Sequence, residues 1–306
     1  MSAGCRLDAV GGWYGRLGNN LMCVYRLLLD IELGKIAGAT IPVHPFLSSR
    51  RLGRLECSHS ISKRIKDIYD EAHGSSNTPK AKREWLDCET GVIRAARALF
   101  VPSHLTVSPL DDDCLVIHLR SGDTARIGFT HGEYVLPPLS FYRAIIEKGF
   151  ANSRIVILCE DRVNPCLGEL LRLYPRAEHQ LRNLRGDVVV MLAARHLVCS
   201  TGSLASSIAT ISSNLRTIYV PSHISAGHVA FLPSWVDVVW SDLSDYVRHV
   251  TPWRYDQRTA RILLEWNGSV GGETPIYCGQ GNEALPTGRP NIAGGWMRVP
   301  TRRPSW

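Results

Sequence analysis

The chain has 306 residues, of which 44% are hydrophobic and 21% are charged, and its formal net charge at pH 7 is +7. This composition is ordinary for a globular protein with one large or two medium α/β domains. No apolar run approaches the roughly 18 to 20 residues of a membrane span, and the N-terminus lacks the apolar core of a signal peptide. We therefore predict a soluble chain without a transmembrane segment.

The positive charge favours anionic partners, but its distribution argues against nucleic acid. The arginines are scattered along the chain, and no zinc-finger, RRM or basic-zipper pattern is present. A sugar nucleotide or another phosphorylated small ligand accounts for the charge equally well. The charge alone therefore does not identify the ligand, and the missing motifs lead us to predict no nucleic-acid partner.

The cysteines predict buried thiols and no metal site. Their number, nine, is odd, so a complete set of intramolecular disulfides is impossible. Cys114, Cys159 and Cys199 each lie in an apolar run typical of a buried strand. No Cys/His cluster has the spacing of zinc ligands.

A glycine-rich segment near the N-terminus, Gly11–Asn20, precedes a helix predicted from Leu21 to about Ile36. Glycines let backbone amides approach a ligand closely, and a helix N-terminus favours negative charge. Arg16 and Asn19 add side-chain donors. The spacing differs from the dinucleotide fingerprint. The alternative is a glycine-rich cap without a ligand.

The N-terminal half continues with a short strand and two predicted helices. The strand lies within Gly38–Pro45 and ends near His44, which is typical of a loop histidine. Helices are predicted at Ile61–Ala72 and Gly91–Leu99, and a domain boundary is predicted within Pro102–Asp113, where serine, proline and aspartate interrupt the periodicity.

The central feature of the sequence is the apolar run Cys114–His118, which ends abruptly in a polar turn, Leu119–Asp123. The run predicts a buried strand of a parallel sheet. Ligands bind at the carboxyl ends of such strands, where the guanidinium of Arg120 can hold a phosphate through two parallel hydrogen bonds. The alternative is that Arg120 merely pairs with Asp123 across the turn.

Strands and helices alternate after this run, which predicts a doubly wound parallel sheet. The predicted helices are Leu139–Lys148, Asn164–Tyr174 and Gly186–Arg195, the last with Asp187 as N-cap or first-turn acid, and the predicted strands are Arg154–Asp161, His196–Ser200 and Arg216–Val220. A hydroxyl-rich turn follows the strand that ends at Ser200. Helices are also predicted at Leu243–His249 and Ala260–Trp266, and the chain from Gly268 onward is predicted to be irregular.

Three of these segments together resemble one family of enzymes. They are Gly15-Arg16-Leu17-Gly18-Asn19, His118-Leu119-Arg120-Ser121-Gly122-Asp123, and the span from Asp187 to Ser203 that ends in Ser200-Thr201-Gly202-Ser203. In this order they resemble the α-1,2-fucosyltransferase family, and more distantly the α-1,6- and protein O-fucosyltransferases, which share G-R-x-G-N-Q and H-x-R-R-G-D motifs. The resemblance covers about residues 11 to 220. Ser121 stands where the family has its second arginine, Asn20 replaces the glutamine, and Ala205-Ser206-Ser207 replaces the family's tryptophans.

The resemblance implies a GT-B-like fold of two Rossmann-like halves. The halves would be 1–108 on the acceptor side and 109–245, a parallel doubly wound sheet, on the nucleotide-sugar side, with 246–306 an irregular or disordered tail. It implies inverting, metal-independent transfer of fucose from GDP-fucose to a hydroxyl of a galactoside or related glycan acceptor, with no cofactor. It also implies a Golgi lumenal or membrane-associated location in a eukaryote and a cytoplasmic one in a bacterium.

The resemblance further implies roles for individual residues. Arg120 would hold the diphosphate, and Asp123 would brace the loop or bind the nucleotide. The hydroxyls of Ser200, Thr201 and Ser203 would donate to phosphate or sugar, and Arg16, Gly18 and Asn19 would face the donor. Metal-free glycosyl transfer needs cationic stabilisation of its leaving group and benefits from a general base. The candidate bases are Asp123, His118, His44 and Glu133, although His118, at a strand end, is more typical of a structural residue.

A second hypothesis comes from Ser121. Loss of the second motif arginine is also expected of a non-catalytic relative that binds a nucleotide sugar or a glycan. The acceptor and the linkage stay open.

Overall fold

The computed structural model describes residues 5–54, 57, 59–74, 78–104, 107–131, 134–179, 182–224, 226–268 and 270–275. The chain forms two compact units. The first comprises Met1–Val107, Ser206–Ser213 and Ser225–Pro233, and the second comprises Ser108–Ala205, Asn214–Ile224 and Ser234–Trp306.

Strands and helices alternate through most of the described chain. The strands are β1 (Cys5–Val10), β2 (Gly38–Thr40), β3 (Arg51–Gly53), β4 (His59–Arg64), β5 (Cys114–His118), β6 (Thr130–His131), β7 (Arg154–Leu158), β8 (Ala177–His179), β9 (His196–Val198), β10 (Thr217–Pro221), β11 (Asp237–Asp242), β12 (Trp253–Arg254) and β13 (Gly271–Pro275). The helices are α1 (Leu17–Glu32), α2 (Ile65–Gly74), α3 (Pro79–Leu99), α4 (Leu139–Gly149), α5 (Pro165–Leu173), α6 (Leu184–Ala193), α7 (Leu204–Ile211), α8 (Ala226–Val229), α9 (Ser244–Val250) and α10 (Gln257–Glu265).

The first unit is built on a four-stranded sheet of order β3-β2-β1-β4. Strand β1 pairs in parallel with β2 and with β4, and β3 is antiparallel at the edge. Helix α1 is buried along most of its length, which its run of leucine, methionine and valine dictates. Segments from later in the chain complete this unit: the Trp85 indole N–H donates to the Leu232 carbonyl at 3.0 Å, and the Tyr25 hydroxyl donates to the Ser207 carbonyl at 2.6 Å.

The second unit is built on a seven-stranded sheet of order β13-β11-β10-β9-β5-β7-β8. Six of these strands run parallel, and β13 is an antiparallel edge strand. Strand β5 lies between β9 and β7, and its Leu115, Val116 and Ile117 are fully buried. The predicted α/β class, with a parallel sheet in the C-terminal half, is confirmed.

One predicted helix of the N-terminal half is wrong at its start, and another is confirmed as part of a longer helix. The predicted helix at Ile61–Ala72 is strand β4 up to Arg64 and becomes helical only at Ile65. The predicted helix at Gly91–Leu99 is the last part of the 21-residue helix α3. Thr78 caps this longer helix by accepting from the Ala81 N–H at 3.1 Å, and proline occupies its first position.

The region predicted as an irregular tail, 246–306, contains regular elements in its described part. Helix α9 agrees with the predicted helix at Leu243–His249, and α10 begins earlier than the predicted Ala260. Strand β13 lies beyond Gly268, where we predicted irregular chain. Residues 276–306 lie outside the described residues. The division into acceptor and nucleotide-sugar halves stays a prediction.

The cysteines that the structure describes are free thiols: Cys5, Cys23, Cys57, Cys88, Cys114, Cys159, Cys166 and Cys199. The predicted burial of Cys114, Cys159 and Cys199 is confirmed, and burial raises the pKa of each thiol. Within the described ranges, no helix combines the length and the hydropathy that a membrane span needs.

Two isoleucines of the second unit, one buried and one exposed, allow a matched test of which side chains form its core. Ile157 on β7 is fully buried, whereas Ile127 is 77% exposed. We expect Ile157→Ala to lower the free energy of unfolding by about 2–5 kcal/mol, and Ile127→Ala by less than about 0.5 kcal/mol. Urea unfolding followed by circular dichroism measures both. Equal effects of the two substitutions would contradict the assignment of Ile157 to the core.

Candidate functional site

The candidate site lies at the carboxyl edge of the second unit's sheet. The register pairs Ile117 with Val198 on one side and His118 with Leu158 on the other. The polar turns after β5, β7 and β9 therefore follow three adjacent parallel strands and emerge at one edge. This edge is where open α/β sheets bind ligands.

Arg120, in the turn after β5, is held by two carboxylates. Its Nη2 donates to Asp123 Oδ1 at 2.6 Å, and its Nη1 donates to Glu160 Oε1 at 3.3 Å. The arginine side chain is 14% exposed, against 52% for Asp123 and 44% for Glu160, and its buried Nε has no hydrogen-bond partner among the residues that the structure describes. The pairing with Asp123, the alternative considered from the sequence, is thus present. Glu160 was missed as a partner, although the acidic end of its predicted strand was a usable signal.

Gly122 is required by the geometry of the same turn. Its φ of +66° lies in the left-handed region, and a Cβ there would come within 2.1 Å of Glu160 Oε1. A side chain at this position would therefore be strained in its backbone and would displace the carboxylate that contacts Arg120.

Ser121, which replaces the family's second arginine, is buried and joins two loops. Its hydroxyl donates to Asp161 Oδ1 and accepts from the Asn164 N–H at 3.1 Å. Burial acts to raise the pKa of Asp161, but hydrogen bonds from Ser121 and from the Val163 N–H outweigh it, so the pKa is lowered. The side chain at position 121 therefore contacts protein groups.

Asn164 strengthens the same connection. Its Nδ2 donates to the Arg120 carbonyl at 2.7 Å, and its Oδ1 caps α5 by accepting from the Cys166 N–H at 2.9 Å. The cap of one helix thus fixes the backbone at the arginine of the neighbouring turn.

The hydroxyl-rich turn after β9 is buried. The Tyr142 hydroxyl lies 3.2 Å from Ser200 Oγ, and the Thr201 hydroxyl donates to the Val135 carbonyl. Ser203 is also buried. The structure places this turn at the strand edge as expected, with the Ser200 and Thr201 hydroxyls already bonded to protein groups. Their predicted contact with phosphate or sugar stays a prediction.

His118 is neutral across the physiological range. Burial, together with the charge of Arg120, lowers the pKa of its imidazole to about 3. An imidazole with this pKa is a weak base. Within the described part of the chain, its buried Nδ1 has no hydrogen-bond partner. These properties favour a structural role over the role of general base.

Asp187 is a perturbed carboxyl near this edge that we did not include among the site residues. The N-cap of α6 is Asn183, which accepts from the Gly186 N–H at 2.9 Å, so Asp187 is the acid of the first turn. Burial raises the pKa of Asp187 to about 6, although the charges of Arg182 and His179 act to lower it. A carboxyl with this pKa titrates close to neutral pH.

The predicted residues of the N-terminal segment lie together in the first unit. Arg16 occupies the N-cap position of α1 and is exposed. The Gly18 carbonyl accepts from the Ser207 hydroxyl at 3.0 Å. A Cβ on Gly15 would lie 2.3 Å from Asn19 Nδ2, so the Asn19 amide folds back over this glycine. Their predicted contact with a donor stays a prediction.

His44 and Asn20 form a buried pair in the same unit. His44 Nδ1 accepts from the Phe46 N–H at 3.1 Å, so a neutral ring carries its proton on Nε2, which lies 3.2 Å from the Asn20 amide. The amide oxygen of Asn20 must then face His44, which also satisfies the buried oxygen otherwise left without a partner. Burial lowers the pKa of His44. Both ring nitrogens are used, and Glu133, the other candidate base, lies outside the described residues.

Within the ranges that the structure describes, no group of three or more His, Cys, Asp or Glu side chains is placed to hold a metal ion.

Comparison with known proteins gives one distant likeness. No family model and no curated protein matches the chain. Among solved structures, E. coli heptosyltransferase WaaC with ADP is similar over 85% of this chain and 97% of that chain, with a TM-score of 0.41 and 11% sequence identity. A likeness at this level carries no information on function.

The turn at Gly122 generates a test with a matched control. Gly128 is also left-handed, with φ of +90°, but nothing lies within 4 Å of its virtual Cβ. We expect Gly128→Ala to cost about 1 kcal/mol of unfolding free energy. Gly122→Ala should cost more, by roughly 0.2–1 kcal/mol, because the half-exposed Glu160 carboxylate must also leave Arg120.

Chemical denaturation of both variants measures this difference. Measured against the Glu160→Ala single variant, Gly122→Ala should cost no more unfolding free energy than Gly128→Ala costs in the wild type, because the contact with Glu160 is then absent. Equal costs for the two glycines would contradict the close approach of Glu160.

Asp187 generates a pH prediction. Its pKa is higher in the folded chain, about 6, than the roughly 3.9 of an unfolded aspartate, so the folded state binds the proton more tightly. The stability contribution of this group is therefore complete below about pH 4 and is lost as the pH rises through 6.

Asp187→Asn removes this dependence. The unfolding free energy of the variant relative to the wild type should rise between pH 4 and 6 and stay constant above pH 7. Urea unfolding at a series of pH values measures the difference, and carboxyl NMR titration provides the pKa directly. A difference that does not vary with pH would contradict the raised pKa.

Proposed function

We propose that the chain is a glycosyltransferase that takes its sugar from a nucleotide diphosphate sugar, with GDP-fucose as the donor. The observation that carries the proposal is the position of Arg120, at the carboxyl end of an interior strand of a parallel sheet, in a turn where Gly122 leaves room for a carboxylate beside it. The choice of fucose rests on the ordered resemblance of the three sequence segments to fucosyltransferases.

A diphosphate can replace the carboxylates of the unliganded site. Asp123 and Glu160 present oxygens to the Nη groups of Arg120 in the arrangement that phosphate oxygens also adopt. Both acids are about half exposed, so releasing them into water costs little. Arg120 itself stays in place, because the Asn164 amide holds its carbonyl.

Arg120 then supplies what the reaction needs without a metal. As the bond between the sugar C1 and the diphosphate oxygen breaks, the nucleoside diphosphate leaves with the electron pair and gains negative charge. A guanidinium fixed beside this oxygen stabilises that charge. Helix α7 begins directly after the hydroxyl-rich turn that follows β9, and the N-terminus of a helix also favours an anion.

Asp123 is our candidate for the general base. When the diphosphate takes the place of the Asp123 carboxylate at the Arg120 guanidinium, that carboxylate can accept the proton of the acceptor hydroxyl. The hydroxyl oxygen forms the new bond to C1 from the opposite face, so the configuration inverts. The low pKa of His118 leaves that residue as a neutral group behind Arg120.

The second candidate function is a non-catalytic protein that binds a nucleotide sugar or a glycan. The observation that favours it is Ser121, whose buried hydroxyl supplies no cation where the family has an arginine. Donor hydrolysis and transfer distinguish the two functions, because a binding protein retains GDP-fucose unchanged.

Thermal unfolding with GDP and GDP-fucose tests donor binding. The same measurement with ADP and UDP tests the preference for the guanine nucleobase. Each bound ligand should raise the melting temperature. Arg120→Ala should remove about 1.5–3 kcal/mol of binding, which is about 10- to 150-fold in affinity. A chelator should leave the shift unchanged. Asp123→Asn should retain GDP binding and lose transfer.

The matched control is Arg154→Ala. Arg154 also pairs with a glutamate, Glu178, but at the amino end of β7, so this variant should bind GDP like the wild type. The absence of any shift with GDP and GDP-fucose at low salt would contradict the proposal, as would equal losses from the Arg120 and Arg154 variants.

A further inference from the structure

The second unit has a cleft that lies outside the proposed donor site. Its volume is about 380 Å³, which is within the range of small-molecule sites. It is lined by the end of α9, by α10 and by the residues that follow α10, among them His249, Arg258, Arg261, Ile262, Glu265 and Trp266. We call this space the α10 cleft. None of the described residues that line it belongs to the turns after β5, β7 and β9.

One side of α10 forms a wall of the cleft. Its lining residues follow one another at spacings of three and four, which places them on the same side of a helix: Arg258, Arg261, Ile262 and Glu265. Leu263, on the other side, is fully buried. Asp256 caps the helix by accepting from the Thr259 N–H at 2.8 Å. The lining side chains therefore project from a helix that is fixed by its core contacts and by its cap.

The two arginines of the cleft have no protein partners. Among the described residues, neither the Arg258 nor the Arg261 guanidinium forms an ion pair or a hydrogen bond. The same holds for the Glu265 carboxylate, although it follows Arg261 by four residues, a spacing at which helical ion pairs form. At a rise of 1.5 Å per residue, Glu265 lies about 10 Å along the helix from Arg258. The end of the cleft at the start of α10 is therefore cationic.

An aromatic ring and an aliphatic side chain form the apolar part of the cleft. The Trp266 ring is partly buried, and its centroid lies 5.5 Å from that of Tyr246 and 5.4 Å from that of His249. These contacts hold the indole in place, so a ligand that packs against it does not have to order it first. Ile262 lies beside the arginines on the same side of α10.

We propose that the α10 cleft binds a small organic oxyanion, namely a carboxylate or a phosphate ester attached to a ring. The oxygens of the anion accept from the guanidiniums of Arg258 and Arg261, whose N–H groups match such oxygens in geometry. The ring of the ligand packs against Trp266. Two unpaired cations against one carboxylate favour an anion over an uncharged ring, and the apolar part favours a ring-bearing anion over an inorganic one.

This site is independent of glycosyl transfer. The proposed donor site uses Arg120 and the turns at the carboxyl edge of the sheet, whereas the α10 cleft uses the outer side of a helix near the end of the described chain. Binding here can therefore be present or absent whatever the outcome of the experiments on GDP.

Calorimetric titration of the full chain tests the proposal with benzoate, phenyl phosphate, benzyl alcohol and inorganic phosphate. At least one of the two ring-bearing anions should bind, and it should bind more tightly than both benzyl alcohol and inorganic phosphate. The tighter of benzoate and phenyl phosphate identifies the charged group that the cleft prefers.

Variants of the lining residues locate the binding. Arg261→Gln should weaken it about 10-fold, the lower end of the range for loss of a charge-assisted hydrogen bond, and glutamine retains the helix. Glu265→Gln should strengthen it by up to about 5-fold, because a repelling charge is removed. The matched control is Arg248→Gln. Arg248 is an exposed arginine of α9 that pairs with Asp245 and does not line the cleft, so this variant should bind like the wild type.

Arg120→Ala separates the cleft from the donor site and should also bind the anion like the wild type. The proposal is overturned if neither ring-bearing anion binds, if benzyl alcohol binds as tightly as they do, or if Arg258→Gln and Arg261→Gln both bind like the wild type. Loss of binding in Arg120→Ala would likewise overturn it, because the anion would then occupy the turn after β5.

Discussion

The structure at the carboxyl edge of the second sheet depends on Arg120, because its largely buried guanidinium needs partners for its charge. Arg120 carries a cationic guanidinium, and only 14% of its side chain is exposed. An unpaired charge at that depth would be strongly destabilising. Asp123 supplies one partner because the turn reverses at a left-handed glycine, and Glu160 supplies the other because that glycine has no side chain to exclude it. The pairing of the Arg120 charge therefore depends on the absence of a side chain at Gly122.

A second set of hydrogen bonds fixes that turn against the loop between β7 and α5. Ser121 and Asn164 join the loop after β5 to the start of α5 through bonds to backbone groups and to Asp161. A serine fits this buried space between loops, whereas an arginine would need an exit to solvent. The difference from the fucosyltransferase motif at this position thus coincides with a local network that an arginine would disrupt.

The sequence predicts secondary structure best where the burial of an element imposes a pattern of apolar residues. The apolar run of β5 and the alternation of strands and helices after it identify the parallel sheet, because strands buried on both faces need continuous apolar residues. Strand β4 escapes prediction because its residues are mostly exposed, so no period of two is visible. The start of α3 escapes because only Trp85 and a few later residues face the core. The partners of Ser200 and Thr201 come from distant segments, which local patterns do not reveal.

The path of the chain has a consequence for dissecting the molecule. Residues 206–213 and 225–233 belong to the first unit although they follow most of the second in sequence. Arg97 donates to the carbonyls of Ile211 and Ser212, and Tyr25 donates to that of Ser207. A fragment cut near residue 108 would lose the acceptors of these buried donors. The first unit is consequently discontinuous in sequence, and its contacts are complete only when residues 206–213 and 225–233 are present.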